Sequence, residues 1–182
     1  IIKMNIDGIA SGYSVSGYET KKTQQSANKS NFAETLNHAS NMQPHTSIVY
    51  LKTDDMLYSG GNGTGLSFYI KYAENTTEED PIVVAKGVDE NGNEFEQTIH
   101  INNINPKSAT IVEMRALEAY TGVEKQCGFT SLPFETGLMG LHDRKNFMDV
   151  FQNAIDDMKL LNQKAAVAYY QYSMQTYWDF MK

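Results

Sequence analysis

Four histidines, His38, His45, His100 and His142, and a single cysteine, Cys127, are the side chains here most able to hold a metal or act as a nucleophile. A zinc site needs such ligands at short helical or Cys-x-x-Cys spacing. None of these residues has a partner at that spacing. Cys127 with His100 or His142 would make a thiol–imidazole pair only if the fold brought them together. One cysteine permits no intrachain disulfide, and Cys127 reads more simply as a small buried hydrophobe. His142-Asp143-Arg144 stands at the mouth of a long helical stretch, where Asp143 is better explained as the helix cap than as a catalytic carboxylate. No serine lies in a nucleophile-elbow pattern. No pair of carboxylates stands out from the acidic background, and no metal or cofactor is implied.

Two loops also invite a chemical reading. Ser59-Gly60-Gly61-Asn62-Gly63-Thr64-Gly65 is rich enough in glycine to cradle a phosphate. It lacks the Lys-Ser/Thr that ends a P-loop, and a strand rather than a helix is expected after it. Gly between two strands is more simply a hairpin connection. Asp89-Glu90-Asn91-Gly92-Asn93 has the Asp and Asn spacing of a calcium loop, but its Gly stands fourth from Asp89, where an EF-hand needs it sixth. Asn91-Gly92 is instead a strong hairpin signal, expected as a type I′ turn with positive φ at both residues.

Composition narrows the partners. The net charge is −7, from 15 basic and 22 acidic residues, which disfavours nucleic acid, whose affinity comes from Lys and Arg on phosphate. Residues 47–107 hold four Lys against ten Asp and Glu, whereas residues 1–46 hold four Lys against three acids. No stretch approaches the roughly 18 apolar residues of a membrane span. The first twelve residues do not read as a secretory signal peptide. The expectation is a cytoplasmic protein, or one exported without a cleavable signal.

The elements that must position any site follow in order. Ile2, Met4 and Ile6 alternate with polar residues as a short strand. Residues 1–46 otherwise read as a polar N-terminal arm, and residues 47–182 as a single α+β domain. Strands are expected at Ile48–Lys52, Leu66–Tyr72, Ile82–Val88 and Glu94–Ile101, with the register of the last left open. Thr110 and Glu113 have capping-box spacing ahead of a helix ending near Tyr120, with Gly122 as a stop. The connection 121–142 is long and apolar, which suggests packing over the core with a short helical turn. The fold expected is an antiparallel sheet of four or five strands packed against two C-terminal helices, the last one long.

Within the arm, Asn31-Phe32-Ala33-Glu34-Thr35-Leu36 has capping-box spacing, and Phe32 and Leu36 share a helix face. This island resembles the Phe-x-x-x-aliphatic export-gate motif near the N-termini of bacterial flagellar rod and hook subunits. The plainer reading docks Phe32 and Leu36 as a short helix on the body. Across residues 47–182, the stretches VAKGVDENGNEFEQTIHI and SATIVEMRALEAY and the Tyr-rich C-terminal helix are similar to a group of small uncharacterised bacterial proteins. That resemblance implies bacterial origin and no particular activity.

From Asp143 to Lys182 the chain has no Gly and no Pro, and apolar residues recur at helical spacing. Unbroken, this would be a helix roughly 55 Å long. Its first half is amphipathic, with one face for the sheet. From Tyr169 onward, Tyr169, Tyr170, Tyr172, Tyr177, Trp178, Phe180 and Met181 cover more than half the circumference. Either these rings meet a second surface, or the helix breaks near Asn162 into a hairpin and they line an internal core. The contact reading makes Phe32, Leu36, Tyr170, Tyr177 and Trp178 protein-binding residues, since Tyr and Trp bury large area while keeping a polar tip. The function expected is then a non-enzymatic protein-binding or assembly protein, with a protein partner or self-association. The alternative is an enzyme or small-ligand-binding domain using the 121–142 loop.

Overall fold

Alternation of apolar and polar residues builds the sheet seen in the computed structural model, which describes residues 48–123 and 132–181. Strands β1 (Tyr58–Gly61), β2 (Ser67–Tyr72), β3 (Ile82–Val88) and β4 (Glu94–His100) form an antiparallel meander in chain order. Phe68 and Ile70, Val83 and Ala85, and Ile99 face inward and are buried. Helices α1 (Ile111–Thr121), α2 (Phe147–Leu160) and α3 (Lys164–Phe180) complete an α+β fold. Val112, Met114 and Leu117 from α1, Phe147, Phe151 and Ile155 from α2, and Tyr169, Tyr170 and Tyr177 from α3 fill the same core as the inner sheet face. The polar arm, with Phe32, Leu36, His38 and His45, lies outside the described residues, as does Cys127.

The sheet departs from expectation at its start. Ile48–Lys52 is not a strand. It is an extended strap whose carbonyls at Ile48 and Tyr50 accept the side-chain hydroxyls of Ser67 and Ser59. Side-chain donors leave it without a backbone ladder. The first strand comes instead from the front of the glycine-rich stretch, with Gly60 opposite Phe68 and Gly61 opposite Ser67. The rest of that stretch is the connection into β2. Asn62 Nδ2 donates to the Met139 carbonyl at 2.6 Å, and Gly63 N–H to the Gly137 carbonyl at 2.9 Å.

The β3–β4 connection is a hairpin at Asn91-Gly92 but not a type I′ turn. Gly92 has φ of 82°, whereas Asn91 has no positive φ. Asp89 and Asn93 close the pair, with the Asp89 N–H on the Asn93 carbonyl at 2.8 Å. Three residues therefore make the loop, with glycine in the left-handed position that such loops require. The Asp89 carboxylate accepts the Asn93 side-chain amide at 3.1 Å and the backbone N–H groups of Asn93 and Asn91 at 2.8 and 2.9 Å, which together hold its pKa below the usual range. Register resolves cleanly: Phe95, Gln97 and Ile99 face inward on β4, and Glu94, Glu96, Thr98 and His100 face outward.

The helices follow their caps. Thr110 and Glu113 make both bonds of a capping box, and Gly122 ends α1 in the left-handed conformation at φ 70°. Asp143 does not cap α2. Its carboxylate accepts the Gly140 N–H at 2.7 Å and closes the preceding turn. Arg144 and Lys145 then stay extended to pair with Ala109 and Thr110, so the helix begins only after them. Its cap is Asn146, whose side chain accepts the Met148 N–H at 3.1 Å.

The long helical stretch is two helices. Asn162 adopts φ of 55°, the one non-glycine residue described with positive φ. The Gln163 N–H reaches the Met158 carbonyl at 2.8 Å, and the Asn162 N–H reaches the Lys159 carbonyl at 3.0 Å. This is a Schellman closure with Asn in the position that glycine usually fills. It folds α3 back along α2. The 132–142 segment carries a short 3₁₀ turn, Phe134–Leu138, and buries Leu132, Met139 and Leu141 in the core.

Candidate functional site

A helix turns about 100° per residue, so neighbouring residues on α3 can have opposite fates. Tyr169, Tyr170, Ser173 and Tyr177 lie on the buried face. Tyr177 is 0% exposed, with its ring 5.7 Å from that of Phe151. Tyr170 is 4% exposed and stacks edge-on against Phe151 at 6.0 Å. These two residues, expected at a contact surface, are core side chains of the chain's own helix hairpin. Trp178 is one step round the helix, leaves the core and is 40% exposed.

Trp178 looks onto the turn that follows β4. Asn105 accepts the Ser108 N–H on its carbonyl at 2.8 Å and the Lys107 N–H on its side chain at 3.0 Å. Pro106 occupies the second position of this turn, where its fixed φ is favoured. Its carbonyl accepts the Phe147 N–H at 2.8 Å, which fastens the turn to the start of α2. Lys107 is thereby aimed at the indole, with Nζ 4.6 Å from the ring centroid. Such a cation–π contact contributes about 0.5–1 kcal/mol at an exposed position. On the far side, Tyr120 of α1 meets Phe180 edge-on at 6.1 Å.

Beside Trp178 lies an open groove of about 500 Å³, lined by Asn102, Asn103, Asn105, Lys107, Trp178 and Phe180 among others. Asn102 spends its Nδ2 on the Glu79 carbonyl at 2.8 Å, which fixes the carboxamide at the rim. Among the described residues Lys107 has no carboxylate partner, so it is the one charged group lining the groove. An aromatic wall, three carboxamides and one ammonium suit a ligand with an apolar side chain, peptide-like polar groups and an acid.

A second polar cluster is closed within the core. Arg115 and Glu118 of α1 form an ion pair at 2.7 Å, with side chains 16% and 9% exposed. The Arg115 guanidinium lies 5.4 Å from the Tyr58 ring centroid. The hydroxyls of Tyr169 and Tyr177 are buried and meet no hydrogen-bond partner among the described residues. Burial first, and then the Glu118 carboxylate, push the Tyr177 phenol well above its ordinary value. These phenols therefore stay protonated and have no use as bases.

The residues first considered for catalysis are scattered. His100 contacts Asp80 on the exposed rim, at 3.1 Å. His142 is exposed, in the turn before α2. Among the described residues no three His, Cys, Asp or Glu side chains converge on a point that would hold a metal. No described helix is long and apolar enough to cross a membrane. No protein-family model, curated protein or solved structure matches the chain. The groove's own chemistry therefore carries the functional reading. Of its lining, sequence reasoning had singled out Trp178. It missed Asn102, Asn103, Asn105 and Lys107, although the Asn-Pro step in Asn102-Asn103-Ile104-Asn105-Pro106-Lys107 marks a turn.

Proposed function

We propose that this chain is a non-enzymatic protein-binding or assembly protein of bacterial origin, and that it holds an extended peptide segment of its partner in the Trp178 groove. The observation that carries this reading is Trp178 itself. A 40%-exposed indole held by Lys107 over a groove lined with carboxamides is costly to leave in water and well suited to an interface. Carboxamides donate and accept at once, which matches the paired N–H and C=O of a peptide group. Trp178 and Phe180 accommodate an apolar anchor, and Lys107 takes a neighbouring carboxylate. The bacterial origin rests on the resemblance of the β3–β4 hairpin and the two helical stretches.

Selection from a random peptide display library against the full chain tests the reading. Enriched peptides are expected to pair an aromatic or large aliphatic residue with an adjacent Asp or Glu. They should lose binding to a Trp178→Ala, Lys107→Ala double variant that remains folded. Peptides that bind wild type and double variant equally would overturn the assignment of the groove, as would a selection that enriches no peptide.

A further inference from the structure

Strand β4 is the last strand of the sheet, and among the described residues nothing pairs with its outer edge. The phase of its ladder follows from its two ends. The Asp89 N–H bonds the Asn93 carbonyl at 2.8 Å, and the Ile101 N–H bonds the Pro81 carbonyl at 2.9 Å. In an antiparallel pair the hydrogen-bonded positions recur every second residue. Phe95, Gln97 and Ile99 therefore turn their backbone groups toward β3. Glu94, Glu96, Thr98 and His100 turn both N–H and C=O outward, a seven-residue edge with four unspent donor–acceptor pairs.

We infer that this edge pairs with the same edge of a second copy, antiparallel about Gln97, to make one continuous eight-stranded sheet. In that register Glu94 stands opposite His100 of the second copy and Glu96 opposite its Thr98. Every outward backbone group meets an outward backbone group, and no like charges oppose. Phe95 falls opposite Ile99, and Gln97 opposite itself.

Neighbouring registers are worse. A one-residue slip sets outward-facing positions against inward-facing ones and breaks the ladder. A two-residue slip one way opposes Glu96 with Glu96, and the other way shortens the paired stretch to five residues, because the chain leaves the strand for a 3₁₀ turn at Ile101–Asn103. In the centred register Glu96, which pairs with Lys86 at 3.0 Å, faces only the uncharged Thr98 of the second copy. The inner flank is open as well. On that face Phe95 and Gln97 are half-buried. Pairing would cover both. Edges of this kind are otherwise templates for indiscriminate association, which a complementary self-pairing prevents.

Sedimentation equilibrium of the full chain over a range of micromolar concentrations tests the inference. The wild type is expected to show a concentration-dependent dimer of 20.4 kDa subunits. Thr98→Pro removes an N–H that makes no bond to β3, a place where an edge strand tolerates proline. It should leave the circular dichroism spectrum unchanged and raise the dimer dissociation constant by about tenfold or more. Should Thr98→Pro fail to fold, the charge exchange decides. In an Asp80→Asn background, which removes the carboxylate that already contacts His100, Glu94→Lys should weaken the dimer, and Glu94→Lys with His100→Glu should restore it. A wild type that stays monomeric throughout overturns the inference. So does a dimer indifferent both to a folded Thr98→Pro and to Glu94→Lys. Neither set of substitutions touches Trp178, so this result is independent of the groove's role. Binding of basic peptides to a monomeric wild type, lost in Thr98→Pro, would mean that the edge serves a foreign strand instead.

Discussion

Replacing Tyr177 by Ala should cost a large share of the stability of the domain, and replacing its neighbour Trp178 should cost little. Tyr177 is 0% exposed and packs on Phe151, so its truncation falls in the class of aromatic-to-alanine core changes, about 3–5 kcal/mol. Typical domains have about 5–15 kcal/mol in total, so this variant would be marginal. Trp178→Ala removes one exposed ring and one cation–π contact, a loss of about 1 kcal/mol. Tyr177→Phe separates packing from polarity. The hydroxyl has no partner among the described residues, so its removal should change stability by less than about 1 kcal/mol. The same hydroxyl sets an alkaline signature. Its folded pKa is raised above the unfolded value of 10.0. Its contribution is thus complete below pH 10 and declines as pH rises above that value, by about 1.4 kcal/mol per pH unit. Tyr177→Phe should make this decline shallower, the remainder coming from Tyr169 and Tyr58, whose phenols burial also raises. Urea unfolding followed by far-ultraviolet circular dichroism, at pH 8 to 11, measures all three variants. A Tyr177→Ala protein within about 1 kcal/mol of wild type would refute the placement of this ring in the core. So would a Trp178→Ala protein that loses as much as Tyr177→Ala.

Two further substitutions test the elements that hold the site. Thr110→Ala deletes the side chain that accepts the Glu113 N–H, and should cost about 1 kcal/mol in urea unfolding. A neutral result would mean that the capping box adds nothing to α1. Gly87→Ala would set a Cβ 2.1 Å from the Ser67 carbonyl oxygen near the end of the β2–β3 ladder. It should destabilise by about 3 kcal/mol or more, since backbone rather than a flexible side chain must yield. An unchanged thermal midpoint would contradict the close approach of those strands.

Much of the fold was legible because local signals agreed with the tertiary demand. Ile82–Val88 is a short, mostly β-branched apolar run flanked by turn residues, and it forms β3 with those bounds. Thr110 with Glu113, followed by Gly122, brackets α1 as expected. The hairpin position at Asn91-Gly92 was legible too, but its turn type was not, because a short sequence does not reveal which pair of flanking residues closes the ladder. Asp143 reads as a cap from its type alone. It lost that role because the two-residue ladder from Arg144 to Lys145 delays the helix, a nonlocal pairing with Ala109 and Thr110. β1 hid in glycines that have little strand propensity and are recruited by pairing with β2. The groove was half visible. A run of aromatics marked the end of α3, but which of them would be covered depended on the hairpin at Asn162. The asparagines opposite Trp178 belong to another part of the chain, which only the fold brings close.

Trp178 is the single tryptophan of the chain, so its emission reports on the groove and nowhere else. Titrating the full chain with a peptide of the class expected, an aromatic beside an aspartate, should shift that emission to shorter wavelength and saturate, with the shift lost in Lys107→Ala and kept in Tyr172→Ala. Saturable binding of the peptide by calorimetry with no change in tryptophan emission would contradict the account, because the partner would then be held somewhere other than the Trp178 groove.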